Sequence, residues 1–383
     1  MYNVIIVGAG MVGLVTALKF AKANQKVALI EAKKPIFKDY DALDARVVAL
    51  NHQSQQLLQS IDVWPLLEKQ GVLSPYDKMF VWDNTGNGQI TFDAGMIPAQ
   101  YLGHIVANHV IVKIAWQLLS QYSNINIFCP TEPMHYFNRD NKACLELNNG
   151  QALQADLIVG ADGVHSWLRQ AAKIEIENIS YQQSAIVAVI ETEKQHEMTA
   201  WQVFSKTGPL ALLPLKNKHQ CAIVWSTTEP EVLLSLTACE FNTRLTQQFE
   251  NRLGRLVCLT PIKAIPLMEQ HSKQYVQNNF ALVGDSAHVV HPLAGQGVNL
   301  GFQDVDLLTQ LMLADSEIGR YKTLRKYARE RRAHNQKMIL GLRALHRGFT
   351  SDHRWAVNGR QFLLNWVSDT PAIKNYFVKV AVS

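Results

Sequence analysis

Glycines 8, 10 and 13 stand between an apolar, β-branched run at residues 3–7 and a helical stretch reaching about residue 24. In this G-x-G-x-x-G spacing each has a separate mechanical task. Gly8 permits a tight turn, Gly10 lets a pyrophosphate approach the backbone, and Gly13 lets helix and strand pack closely. Met11 and Val12 open the helix, where unpaired N–H groups face an anion. Glu31 ends a second buried run at residues 26–31 and suits a ribose hydroxyl. The chemistry implied is dinucleotide binding, and this motif alone does not separate flavin from nicotinamide. The plainer alternative is a glycine turn in an unliganded α/β fold.

A second pattern, Gly284-Asp285-Ser286-Ala287-His288, follows a buried run at residues 280–284 and leads to Pro292-Leu293-Ala294-Gly295-Gln296-Gly297. An aspartate at a strand's carboxyl end can bind ribityl hydroxyls. A glycine-rich loop running into Val298 and Asn299 can bring N–H groups and a positive helix end against a planar ring, stabilising an anionic reduced flavin. A nicotinamide dehydrogenase needs no such element so far downstream, so the expected cofactor is FAD. FMN lacks the diphosphate and adenosine that the first motif would hold. The competing reading makes Asp285 only a helix cap. A third pattern, Gly160-Ala161-Asp162-Gly163-Val164-His165-Ser166-Trp167-Leu168-Arg169, lies at another strand-to-helix junction.

In this order the three motifs resemble those of class A flavoprotein monooxygenases. Asp44-Ala45-Arg46-Val47-Val48-Ala49-Leu50, Leu102-Gly103-His104-Ile105-Val106-Ala107-Asn108, Val224-Trp225-Ser226 and the stretch from His288 to Gly301 extend the likeness to the ubiquinone-biosynthesis hydroxylases, over nearly the whole chain. The resemblance implies a site near the flavin or its diphosphate for Arg46 and Asn108, and a cofactor contact at Asp162. Arg46 reads equally as a surface helix residue on its own spacing. His109 departs from the basic residue common there. The activity implied is ring hydroxylation: NAD(P)H reduces the flavin, dioxygen adds at C4a, and the hydroperoxide delivers oxygen to a phenolic ring. The substrate expected is a polyprenyl phenol or quinone precursor. Rivals are a small soluble aromatic substrate and a non-catalytic flavin subunit of a biosynthetic complex. A halogenase is disfavoured because no W-x-W-x-I-P stretch occurs.

No residue is assigned a catalytic role. His288 and His291 stand three apart but lack carboxylate or cysteine partners at ligand spacing, so they are read as shaping the loop before Pro292, and no metal is expected. Trp225 lines the substrate cavity or fills a core; spacing does not choose.

The elements holding these motifs fit one class. At 383 residues, 48% hydrophobic and 18% charged, without repeats or low-complexity tracts, the chain is globular and too long for one ordinary core. The expected class is α/β: a Rossmann-like FAD-binding domain, an interleaved β-sheet substrate domain and C-terminal helices. Residues 1–75, 101–175 and 271–315 are expected to form the first, 76–100 and 176–270 the second, and 316–383 the helical region. Helices are predicted at 44–61, 105–122 and 232–253, and a hairpin at 79–92. A net charge of +5 without a nucleic-acid motif gives no nucleic-acid partner. Five scattered cysteines read as reduced thiols. No apolar run reaches the roughly 20 residues of a spanning helix. The expected location is cytoplasmic, with peripheral contact at the inner face of the cytoplasmic membrane through the basic run 320–347 and an apolar-aromatic tail containing Trp355, Trp366 and Phe377.

Overall fold

The computed structural model describes residues 1–84, 88–96, 98–205, 207–290 and 295–350. Tyr2–Val7 forms a strand whose last four residues are buried, and the helix Met11–Lys22 follows directly. Val27–Ile30, buried throughout, returns parallel to the first strand. Such continuous apolar runs suit parallel strands covered on both faces. The parallel set continues with Ala152–Gly160 and Phe280–Leu282, in an eight-stranded sheet that also holds Ile125–Phe128 and an antiparallel extension.

A nine-stranded sheet contains the long strand Ile176–Thr192, with Thr199–Phe204, Leu210–Pro214, Gln220–Thr227 and Lys263–Ser272. Its edge hairpin, Lys78–Asp83 with Gln89–Asp93, comes from far earlier in the chain. The strands of the hairpin predicted at 79–92 are thus paired, residues 85–87 between them lying outside the described residues.

Two predicted helices begin later than expected. Residues 47–50 form the strand Val47–Leu50 ahead of the helix His52–Ser60, and Gly103–Ala107 is a strand ahead of Asn108–Leu119. The two strands pair antiparallel, Val47 with Ala107 and Leu50 with His104. Each is a short apolar run abutting a helix, where the 3.6-residue pattern continues without a visible break. The helix predicted at 232–253 is two, Pro230–Ser235 and Ala238–Gln248, the second opened by a Thr237–Glu240 capping box.

The last two helices, Gly297–Ala314 and Tyr321–Thr350, pack on the parallel sheet's flank. Leu324, Tyr327, Arg331, Asn335, Ile339 and Leu342 make the buried stripe of the second. Lys322, Arg325, Lys326, Arg329 and Lys337 face outward. The expected basic face is therefore real but smaller than the run suggests, because Arg331 is buried and Arg343 is bound to Glu269. The tail containing Trp355 lies outside the described residues. Among those described, no helix is long and apolar enough to cross a membrane.

Candidate functional site

Register places Ile30, Val7, Gly160 and Leu282 in one row at the carboxyl ends of the four parallel strands. Glu31, Gly8, Asp162 and the Gly284–Ser286 turn consequently emerge along one edge, where ligands of such sheets bind. Hydrogen bonds from Gly8 N to Ile30 O (2.9 Å), Ala161 N to Val7 O (2.8 Å) and Val283 N to Gly160 O (3.0 Å) lock the turns together.

The fingerprint glycines separate by task. Gly8 has φ +100°, and a Cβ there would lie 2.5 Å from Ala161 O; one on Gly13 would lie 1.9 Å from Gly8 O. Those two are demanded by the fold. A Cβ on Gly10 would meet nothing within 4 Å, so its absence leaves room above the helix for a ligand. Met11 is the first residue of that helix. Val12 sits where the turns converge, 3.1 Å from a Cβ built on Gly284 and 3.0 Å from one on Gly301.

The carboxylates divide as well. Glu31 accepts from Ala9 N (2.8 Å) and Lys33 N (3.0 Å), bracing the glycine loop. Asp162 accepts from Ser166 Oγ (2.5 Å) and Leu168 N (3.0 Å), and burial pushes its carboxyl up. Asp162 thus already holds its own loop together through both oxygens. Asp285 is exposed and, among the described residues, accepts no hydrogen bond; the chain crowding around it raises its carboxyl. It does not cap the short turn that it occupies.

Three residues absent from the sequence-predicted set support this edge. Arg169 donates to Ser286 O and Val164 O, both at 2.8 Å, tying the second and third motifs together. Asp304, fully buried, accepts from Gly284 N (3.0 Å) and Arg331 Nε (2.7 Å) and pairs with His288 Nε2 at 2.5 Å. Burial works to raise its carboxyl, and the His288 and Arg331 contacts outweigh it and hold it down at about 2. An aspartate on the apolar Leu300–Leu308 stripe was the sequence signal for it. Asp44, whose side chain is nearly buried, accepts from Arg46 N and Lys38 Nζ (both 2.9 Å) and lies 3.4 Å from His109 Nδ1. Burial works to raise its carboxyl, and these partners together bring it below the usual range. His109, the departure from the family pattern, lies beside it, with its Nε2 3.2 Å from Asp39 O.

The Arg46 side chain is exposed, 3.9 Å from Asp44, while its carbonyl accepts from Asn108 N at 3.0 Å. The Oδ1 of Asn108 is buried without a partner. Asn299 departs from a ligand-facing side chain. It is buried, donating to Ala49 O (2.8 Å) and accepting from Ser54 Oγ (2.6 Å) and Asn51 N (3.2 Å). Only its backbone remains for a ligand: the first bond at that helix end is Leu300 N to Gln296 O, and no described residue accepts from Val298 N or Asn299 N. Gly295 has φ +61°, and a Cβ on Gly297 would meet nothing within 4 Å. His291 and Pro292 lie outside the described residues.

Beside this loop is a largely apolar cavity of about 270 Å³, walled by Val48, Ile105 and Val298 on one side and by the nine-stranded sheet on the other. Among the described residues no ionisable carboxylate, amine, guanidinium or imidazole lines it; its polar side chains are Tyr76, Gln202 and Ser226. Strand alternation places Val224 and Ser226 in the cavity and Trp225 on the opposite face, 6.2 Å from Phe241 in a core cluster. Trp225 is a core residue.

The FAD binding domain family matches residues 1–340. The chain is 33% identical over 359 residues to 3-demethoxyubiquinol 3-hydroxylase of Escherichia coli (strain K12), covering 91% of this chain and 90% of that protein. It is 31% identical over 433 residues to the mitochondrial ubiquinone biosynthesis monooxygenase COQ6 of Drosophila melanogaster, covering 100% and 90%. Among solved structures, p-nitrophenol 4-monooxygenase from Pseudomonas putida DLL-E4 shares the fold, with TM-score 0.81 over 99% of this chain and 97% of that one at 16% identity. The matched length and conserved architecture make this chain a member of the FAD binding domain family and, within it, an FAD-dependent monooxygenase of the ubiquinone-biosynthesis hydroxylase group.

Proposed function

We propose that this enzyme hydroxylates a neutral phenolic or quinone-precursor ring of ubiquinone synthesis, with NAD(P)H as reductant and dioxygen as co-substrate. The cavity beside the glycine loop, whose described lining holds no charged side chain, carries this reading, since an aromatic acid would call for a cationic anchor. The rival small aromatic acid is disfavoured for that reason.

The residues present fit FAD. Open space at Gly10 and Gly297, the free carboxylate of Asp285 and the unpartnered Oδ1 of Asn108 are what a bound dinucleotide would fill or satisfy. Gly8, Gly10, Met11, Val12 and Gly13 would take the diphosphate and Glu31 the adenosine ribose. Asp285, beside Gly284, would take ribityl hydroxyls, with Arg46 and Asn108 along the chain of the cofactor. Gly295, Gln296, Gly297 and the N–H groups of Val298 and Asn299 would face the ring; Pro292 belongs to the same loop. Asp162 would act by holding the turn next to Asp285. Bound flavin supplies two-electron reduction and oxygen activation. The chain's tasks are then to place the substrate carbon against the loop from Gly295 to Asn299, to keep water out with Val48, Ile105 and Val224, and to favour negative charge at the helix N-terminus.

In functional terms residues 1–75, 101–175 and 271–315 would serve as the cofactor part, 76–100 and 176–270 as the substrate part, and 316–350 as a helical flank, the remainder to 383 lying outside the described residues. The outward basic face of Tyr321–Thr350 supports peripheral contact with an anionic membrane or a biosynthetic complex.

The test is NAD(P)H oxidation by the FAD-loaded enzyme with a short-chain prenylphenol, with isotope from labelled dioxygen read in the product. Stimulated oxidation with one labelled oxygen in the ring supports the reading. No stimulation and no incorporation, with FAD bound, returns the protein to a non-catalytic subunit. Accumulation of a precursor short of one hydroxyl in a deletion strain would name the step.

A further inference from the structure

The cavity's sheet wall is built for a flat ring. Gln202 on Thr199–Phe204 pairs with Ala211, and Ala211 in turn with Val224. Small side chains therefore flank a single long amide in that row. Two residue pairs further along, and so on the same face, Ser226 stands across from Pro209, to whose carbonyl it donates through its backbone N at 2.8 Å. From the opposite wall comes Tyr76, which packs against a position that must be glycine: a Cβ on Gly103 would lie 2.9 Å from the Tyr76 hydroxyl.

Gln202 is 6% exposed and Ser226 2%. Neither side chain, nor the Tyr76 hydroxyl, has a hydrogen-bond partner among the described residues, although all three line the same cavity. Buried polar groups in folded proteins are nearly always paired, and leaving one unpaired costs about 1–3 kcal/mol. The polar atoms of all three open onto the cavity, so a ligand that displaces water from this small apolar space must bring polar atoms of its own or leave them unpaired. Burial pushes the Tyr76 hydroxyl up to about 12, so it meets that ligand as a neutral donor.

We propose that Gln202, with Tyr76 and Ser226, is the specificity-determining set of this cavity, reading the neutral oxygen substituents of the substrate ring, a phenol hydroxyl or its ether. The inference rests on the proposed ring-hydroxylase function and names the residues that choose its substrate. The amide both donates and accepts, so it serves a hydroxyl and an ether oxygen alike. A site that hydrogen-bonds a substrate hydroxyl discriminates strongly against an analogue lacking it, whereas one that only fits its shape does not.

The experiment uses the FAD-loaded enzyme and three probes: 2-prenylphenol, prenylbenzene and 4-hydroxybenzoate. Dissociation constants come from perturbation of the bound flavin's absorbance. Wild type is expected to bind prenylphenol best. In Gln202→Met, of nearly equal volume, the preference for prenylphenol over prenylbenzene should fall about fivefold or more, with FAD content and melting temperature unchanged. Tyr76→Phe and Ser226→Ala, each deleting one oxygen, should lower it about two- to fivefold and keep the test open if the first variant fails to load FAD. An unchanged preference in all three variants would overturn the inference while leaving the ring-hydroxylase reading intact. Tighter binding of 4-hydroxybenzoate than of prenylphenol by the wild type would overturn that reading itself.

Discussion

At the scale of single residues, the carboxylates and glycines of the site separate into those that a ligand needs and those that the fold needs. Replacing Asp285 by Ala should weaken FAD binding by about tenfold or more with the apoprotein's melting temperature nearly unchanged, because the carboxylate has no partner in the described chain. Asp162→Ala should do the reverse first: it frees Ser166 and the N–H of Leu168, with an expected loss of about 1–3 kcal/mol in apoprotein stability. Denaturant unfolding of both apoproteins, beside flavin titration, checks the pair; equal stability losses would mean that Asp285 also holds the fold. The glycines offer a parallel contrast. Gly10→Val should yield a folded protein without FAD, since its Cβ meets open space. Gly13→Val should fail to accumulate as soluble protein, since even a Cβ would lie 1.9 Å from Gly8 O. Retained FAD in the first variant would show that the ligand lies elsewhere.

Between elements, the decisive contacts join segments far apart in sequence. Asn299 fastens the start of the helix Gly297–Ala314 to Ala49, Asn51 and Ser54, so one side chain fixes the glycine loop against the strand Val47–Leu50. Asn299→Ala removes those bonds and leaves buried partners unsatisfied, at a cost of about 2–4 kcal/mol. Its effect should spread to FAD affinity through misplacement of the loop, measurable as a lower unfolding midpoint together with a higher flavin dissociation constant. Loss of stability alone, with flavin affinity kept, would confine Asn299 to packing. The delayed helix starts belong to this scale. Val47–Leu50 and Gly103–Ala107 became strands because each supplies the other's ladder, a partner that no window of local sequence contains.

For the whole molecule, two consequences concern charge. His104 and His271 are buried, and burial, reinforced by His52 beside the first and by His288 and Arg332 beside the second, lowers each to about 4. Between about pH 6.5 and 4 the unfolded chain therefore binds protons that the native one refuses, and stability falls as pH drops through that window. Melting temperature should decline from pH 7 to 4, and His271→Gln should flatten part of the slope; an unaltered slope would mean that His271 is freely protonated in the native state. The second consequence follows from the outward Lys322, Arg325, Lys326, Arg329 and Lys337. Binding to vesicles should require acidic lipid and weaken with salt, and removing residues from 355 onward should reduce turnover of a long-tailed substrate more than of a short one. Matching FAD content and melting behaviour must accompany that comparison. Binding indifferent to lipid charge would leave the helix with a merely solvated face.

Much of this protein was legible because local chemistry left few choices. Glycines at turn spacing after buried β-branched runs, and an aspartate after a third such run, specify a nucleotide edge wherever the chain later brings them. Motif order and resemblance carried the cofactor and the reaction class. What one-dimensional spacing could not carry was which polar side chains are already satisfied. Asp162 and Asp285 look alike in sequence, yet one is closed by Ser166 and Leu168 and the other is open. Asn299 reads as part of a binding loop and points into the core, while Trp225 was balanced between cavity and core until strand register set its face. Asp304 and Gln202 lay outside the motifs and Arg169 closed one without a stated role, because what they face, Gly284, a cavity wall and Ser286, is contributed by distant elements. Residue type and spacing determine what a group can do. Tertiary packing decides whether another part of the chain has already claimed its hydrogen bonds, and only an unclaimed group is free to meet a ligand.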